Sequence, residues 1–224
     1  MSFIFAQALT GLAGAASLFL IAAGLSLIFG VTRIVNFAHG SFTMLGAYMA
    51  VSLSGALMPL AGPIGFWLAV PLAALGAGTL GAVMEIAILR HLYRSNELYP
   101  LLATFAVLLI LQDAALGLWG PEDLLGPLAP GLTGAVTVFG ARVPSYDLFL
   151  IAMGPITLGL LLLLLHRTRW GLLLRAAAQD REMTGALVVE QRRLFTAVVF
   201  LGTALAGLGG ALQMPREAAN LGID

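Results

Sequence analysis

The chain has 224 residues, of which 60% are hydrophobic and 10% charged; it carries 11 basic and 11 acidic side chains and no cysteine, and its mean hydropathy is +0.99. A soluble domain has about a quarter of its residues charged, so this composition excludes one. The apolar runs approach the ~20 residues a helix needs to cross ~30 Å of hydrocarbon, and they lack the short alternating pattern of membrane strands. Without cysteine there are no disulfides or thiolate metal sites, and the zero net charge says nothing about partners because the charges are segregated along the chain. The expected class is an all-α, polytopic membrane protein, a single domain over residues 1–224 that contacts lipid and binds no nucleic acid.

Six spanning segments are predicted, at roughly 9–31, 41–58, 64–89, 98–118, 148–166 and 194–213. Met1 to Thr10 has no basic region ahead of the first apolar run, so a cleaved signal peptide is not expected. The first segment is rich in small residues (Gly11, Gly14, Ala15, Ala16, Ser17, Gly24), which let helix backbones approach closely in lipid. A short polar join follows, containing Arg33, Asn36, His39 and Gly40. Asn36 and His39 can cap the second helix or bond carbonyls of the first, and a lone His without companions at ligand spacing is a poor metal ligand.

In the third segment Gly76, Gly78 and Gly81 formally match a dinucleotide fingerprint, but that motif needs a preceding strand and a solvent-facing helix start, so helix packing is expected instead. Glu85 lies about one turn before Arg90, within pairing distance. In the fourth segment Gln112 and Asp113 fall roughly 22 Å along the helix from Leu98 at 1.5 Å per residue, which makes them candidates for the outer mouth of a path or, equally, ordinary interfacial residues. The loop from Trp119 to Asp147 has four prolines. Its alternating run Val136–Val143 predicts a hairpin turning at Gly140 and Ala141, which either docks an external protein or covers helix ends.

The stretch from Arg167 to Arg193 holds six of the eleven arginines and is the main polar island of the chain. Its middle, Trp170 to Glu182, is predicted as a short surface helix with Leu172 to Leu174 toward lipid or bundle and Arg175, Asp180, Arg181 and Glu182 toward water. An amphipathic connector and a coupling helix that enters a groove on a cytoplasmic motor both fit. Nine of the eleven arginines fall on the same face of the predicted bundle as this island, so the positive-inside rule makes that face cytoplasmic and puts the N-terminus outside. In the last segment Gly202, Ala206 and Gly210, spaced i, i+4, i+8, form a stripe for tight packing.

Two stretches together resemble the permease subunits of ABC importers for branched-chain amino acids. Gly24–Tyr48, GLSLIFGVTRIVNFAHGSFTMLGAY, is similar to the family's signature around its first two segments. Leu174–Glu182, LRAAAQDRE, is similar to the family's coupling segment, and Gly202–Gly210 to the helix after it. The resemblance implies a multi-pass subunit of the bacterial plasma (inner) membrane, with no cofactor of its own. Its implied partners are a second permease subunit, alike or different, two cytoplasmic ABC ATPases that bind the ATP, and an external substrate-binding protein. It further implies that Arg175, Ala176, Gln179, Asp180, Arg181 and Glu182 contact an ATPase, and that Asn36, His39 and Gly40 lie near the translocation route; Gln112 and Asp113 are candidates for its mouth from their depth along the helix alone. Urea and short-amide permeases share much of the pattern. The chain departs from it at Val188, Val189 and Glu190, where the family usually has Gly, then often Ile or Val, and Asn. Family members also run on through further helices, so a truncated or partial form is expected. An intramembrane serine protease is disfavoured, since the sequence has no G-x-S-G motif and His91 and His166 fall at helix ends. A channel or secondary transporter has only Asp113, Pro71 and Pro155 in its favour.

Overall fold

A computed structural model describes residues 2–93, 95–138, 140–179 and 191–222. Helix α1 is Ser2–Thr32, α2 His39–Ala61, α3 Pro63–Leu92 and α4 Leu98–Trp119. A two-stranded hairpin follows, β1 Ala135–Val138 and β2 Ala141–Pro144. Then come α5 Ser145–Arg167, the short α6 Arg169–Gln179 and α7 Gln191–Gln213. Six of these helices, all but α6, are long and apolar enough to cross a membrane. They coincide with the six predicted segments, α1 starting several residues earlier because Ser2 to Ala8 continue the helix. The chain is a multi-pass, all-α membrane protein.

Helix α7 is the axis of the fold, packed against α1, α2 and α3. Its glycines make this possible. A Cβ at Gly202 would strike Ile28 and the Gly24 carbonyl of α1, one at Gly207 would strike Ala77 of α3, and one at Gly210 would overlap the Thr43 carbonyl of α2. Lipid tails are as apolar as leucine, so helices in a bilayer associate through close van der Waals contact, and small residues permit it. Two glycines of the apparent nucleotide fingerprint belong to the same seam, Gly78 facing Phe200 and Ala204 and Gly81 facing Thr203, while Gly76 meets Met49 of α2. In α1 the small residues divide: Gly24 meets α7 and Ala16 meets Gly154 of α5, whereas Gly11 and Gly14 face open space. Those two glycines therefore take no part in the packing expected of them.

One end of the bundle collects Arg33, Arg90, Arg167, Arg169, Arg175, Arg192 and Arg193. There α3 widens into a π-helical turn at Glu85–Leu89. The turn delivers Glu85, fully buried, to the first turns of α7. Its Oε2 accepts from Thr196 Oγ1 at 2.6 Å and from Arg90 Nη2 at 3.2 Å, and Arg90 Nη2 also donates to Thr196 Oγ1 at 2.9 Å. The expected Glu85–Arg90 pair is present, with a partner from α7 added.

At the opposite end the loop after α4 and the segment after α7 form a cap. Leu124 and Ala219 exchange backbone hydrogen bonds at 2.9 Å. Asp147 of α5 pairs with Arg216 at 3.3 Å and accepts from Thr10 Oγ1 at 3.1 Å. Val138 pairs with Ala141, so Ala141 belongs to β2 and not, as expected, to the turn. Gly140 supplies the positive φ of 76° that a tight turn requires.

Two predictions follow from the seam and the buried carboxylate. Gly210→Val, forced against the α2 backbone, lowers folding stability by about 3 kcal/mol or abolishes folding, while Gly11→Val has no comparable effect; thermal unfolding in detergent, followed by size-exclusion profile, distinguishes them. Glu85→Ala costs about 2 kcal/mol by leaving Arg90 and Thr196 without their shared acceptor, and Thr196→Val costs less because the Arg90 pair survives.

Candidate functional site

The join between α1 and α2 is built as a corner inside the bundle. α1 ends at Thr32, whose hydroxyl donates to the Ile28 carbonyl at 2.9 Å and accepts from Ile34 N at 3.2 Å. Arg33 then takes a left-handed φ of 56°, alone in this among the described non-glycine residues, and its N–H donates to the Phe29 carbonyl at 2.9 Å. This is the left-handed cap usually given to glycine. The chain next turns back along the bundle: Phe37 N donates to Thr104 Oγ1 of α4 at 3.3 Å, and the His39 imidazole meets the Ile21 carbonyl of α1 at 3.0 Å. Ile21 lies eleven residues before Thr32, roughly 16 Å along the helix, and Thr104 lies six residues into α4, roughly 9 Å. The first turn of α2 therefore begins well inside the bundle rather than at its rim.

Asn36 organises the corner. Its Oδ1 accepts from Ala38 N at 3.1 Å, and its carbonyl accepts from His39 N at 3.1 Å. Because a carbonyl only accepts, His39 donates from Nε2, which leaves Nδ1 as an acceptor. His39 Nδ1, Asn36 Nδ2 and Thr43 Oγ1, one turn along α2, are buried with no hydrogen-bond partner among the described residues. Non-helical backbone at membrane depth is tolerated where it is enclosed in protein or lines a cavity. Here it also exposes the positive end of the α2 dipole to the interior of the bundle. Sequence reasoning found Asn36, His39 and Gly40. It missed Thr43, whose helical spacing from His39 was the available signal.

The island lies at the arginine-rich end. α6 presents Gly171, Leu174 and Ala177 to the bundle and leaves Arg175, Ala176 and Gln179 exposed. Leu172 and Leu173 stay exposed while Leu174 is buried, so only one of the three leucines faces protein. Arg33 Nη2 donates to the Ala178 carbonyl at 3.3 Å, fastening the α1 corner to the last turn of α6. Asp180, Arg181, Glu182 and Val188 lie outside the described residues. Gln112 and Asp113 are on α4, roughly 12 Å along it from Thr104. Gln112 is half-buried and Asp113 exposed. The structure brings Asn36, His39 and Gly40 together, connects them through Arg33 to α6, and leaves Gln112 and Asp113 apart.

The strained cap is testable. Arg33→Gly relieves the left-handed backbone and Arg33→Ala does not, although both delete the bond to Ala178. The glycine variant is more stable by about 1 kcal/mol, measured as the difference in thermal unfolding midpoint in detergent.

Comparison with known proteins places this architecture. A family model described as branched-chain amino acid transport system / permease component matches residues 7–220. The high-affinity branched-chain amino acid transport system permease protein BraD of Pseudomonas aeruginosa is 26% identical over 213 residues, covering 92% of this chain and 69% of the relative. The corresponding permease protein LivH of Escherichia coli is 27% identical over 86% of the chain and 65% of the relative. A probable branched-chain amino acid transport permease protein LivH of Methanocaldococcus jannaschii is 32% identical over 87% of the chain and 61% of the relative. The chain thus spans about two thirds of the length of the curated relatives it matches. No solved structure matches it. With a match that runs through all six long helices, the chain belongs to the family of permease components of branched-chain amino acid transport systems.

Proposed function

We propose that the chain is the membrane-spanning permease subunit of an ATP-driven ABC importer that carries branched-chain amino acids inward across the bacterial plasma membrane. The family match over residues 7–220 carries this reading. The arginine-rich end then faces the cytoplasm by the positive-inside rule. The capped end faces the substrate-binding protein, and a second permease subunit completes the path. The subunit hydrolyses nothing itself; two cytoplasmic ATPases bind and split the ATP.

The geometry supports a specific division of labour. The exposed face of α6, with Arg175, Ala176 and Gln179, is the ATPase-docking face, and Asp180, Arg181 and Glu182, next in the sequence, are assigned to the same contact. Movement of α6 has two outlets. Arg33 ties its last turn to the α1–α2 corner, and α7, the most deeply packed helix, begins where the island ends. Glu85 holds the base of α7 to α3, so α3 and α7 move as one body when the bundle rocks between outward and inward states. The corner at Asn36, His39 and Gly40 borders the translocation route. There the positive end of α2 and the amide of Asn36 suit the carboxylate of an amino acid, as half-helix ends do in other transporters. Gln112 and Asp113 serve the outer part of the route.

Two measurements test this. Deletion of the gene abolishes uptake of labelled leucine by intact cells and leaves urea uptake unchanged; loss of urea uptake alone would reassign the substrate to a short amide. A tagged, detergent-extracted chain brings down an ABC ATPase and a second permease from its host. Arg175→Glu reduces recovery of the ATPase at least about tenfold, the effect of reversing a charge that the ATPase covers on docking, while the second permease is still recovered. Recovery of the tagged chain without any ATPase would overturn the importer reading.

A further inference from the structure

A groove runs between α1 and α5, on the side of the bundle away from the α7 seam. Its larger part, a cavity of about 530 Å³, is walled by Phe19, Ala22, Ala23 and Gly30 of α1 and by Leu158 and Leu165 of α5. A second cavity of about 360 Å³, lined by Leu12, Ala15, Ala16 and Gly154, shares Phe19 and Leu158 with the first and continues it toward the capped end. α1 and α5 run in the same direction, with Thr10 beside Asp147 and Ala16 beside Gly154. Among the described residues, α6 contacts both helices and reaches the groove at its arginine-rich end.

The groove changes character at one end only. Apart from Ser26 its lining is apolar until it reaches α6, where Arg175 and Ala178 close it. The exposed Arg33 arrives at the same place, its guanidinium on the Ala178 carbonyl. Two arginines therefore stand at the mouth of an apolar channel, at the arginine-rich end. From Phe19 to Val31 the larger cavity follows twelve residues of α1, roughly 18 Å, close to one leaflet of a hydrocarbon layer ~30 Å thick. A ligand that fits is apolar for the depth of one leaflet and anionic at its head.

We propose that this groove binds one anionic phospholipid, an acyl chain lying against Ala22, Ala23 and Gly30 and the phosphate held between Arg33 and Arg175. The site does not depend on which solute the permease carries; it shares Arg175 with the proposed ATPase-docking face, so it is read on the purified chain without ATPase. Planar guanidinium groups match phosphate oxygens in pairs, and basic residues beside a membrane helix favour anionic headgroups. Since Arg33 also anchors α6, an anionic lipid at this position braces the island against α1.

Native mass spectrometry tests the site on the purified chain exchanged into micelles that contain equal amounts of phosphatidylglycerol and phosphatidylcholine. The expected result is one retained phosphatidylglycerol per chain in preference to phosphatidylcholine. Arg33→Gln and Arg175→Gln each reduce that preference about fivefold, and Ala23→Phe, which fills the groove, removes retention of both lipids. Equal retention of the two lipids by the wild type, or a preference that survives the double glutamine variant, overturns the proposal. So does an Ala23→Cys chain that cross-links to a second copy through this face, an unambiguous readout because the sequence has no other cysteine. If the double variant does not fold, retention by Ala23→Phe decides the matter alone.

Discussion

The contact between the α7 backbone and three other helices is the constraint on which this structure depends. Inside a bilayer, apolar side chains gain nothing by leaving lipid for protein, so the bundle holds together by how closely its backbones approach. Gly202, Gly207 and Gly210 each sit where a methyl group would strike a neighbouring helix. That requirement decides where bulk is allowed. Large side chains are turned outward on α4 and α5, which are mostly exposed, and the small ones are drawn to the axis. A rigid centre of this kind transmits displacement rather than absorbing it, and its axis helix is the one that follows the polar island.

The α1–α2 corner is the main departure from a simple bundle of rods. An extended segment that bends inward costs backbone hydrogen bonds, and the structure offsets the cost with Thr32, Asn36, Thr104 and the Ile21 carbonyl. Three buried polar atoms are still left over. Buried polar groups in native proteins are almost always satisfied; leftovers also occur at Glu85 Oε1 and Arg90 Nε, whereas around Asp147 acceptors and donors match, and those at the corner are the ones grouped at a helix start inside the bundle. The strain at Arg33 belongs to the same region, and it orients the side chain that reaches α6.

Much of the architecture was legible in the residue order, because hydrophobic length in a bilayer is a direct measure of span. The six helices, the short helix carrying Arg175, the hairpin between Trp119 and Asp147 and the glycine seam at Gly202 and Gly210 could all be read from local pattern. The depth of the corner could not. Nothing near Asn36 or His39 reveals that the segment climbs back to Ile21, since that depends on the lengths and tilts of α2 and α4. Thr196 as a partner of Glu85 was hidden for a similar reason, as the two are 111 residues apart in sequence. Gly11 and Gly14 misled in the other direction: composition identifies small residues without saying which side of the helix meets protein. The groove between α1 and α5 is a property of two parallel helices that no local pattern encodes.

The position of α7 also bears on how the protein is made. The axis of the bundle is synthesised after α1, α2, α3, α4 and α5, so the surfaces of Gly24, Thr43 and Gly78 enter the membrane before the helix that fills them exists. Until it arrives they can be covered only by lipid or by the insertion machinery. Assembly must therefore thread a late helix into a gap held open by earlier ones, and errors in its delivery would leave the earlier spans inserted around no interior.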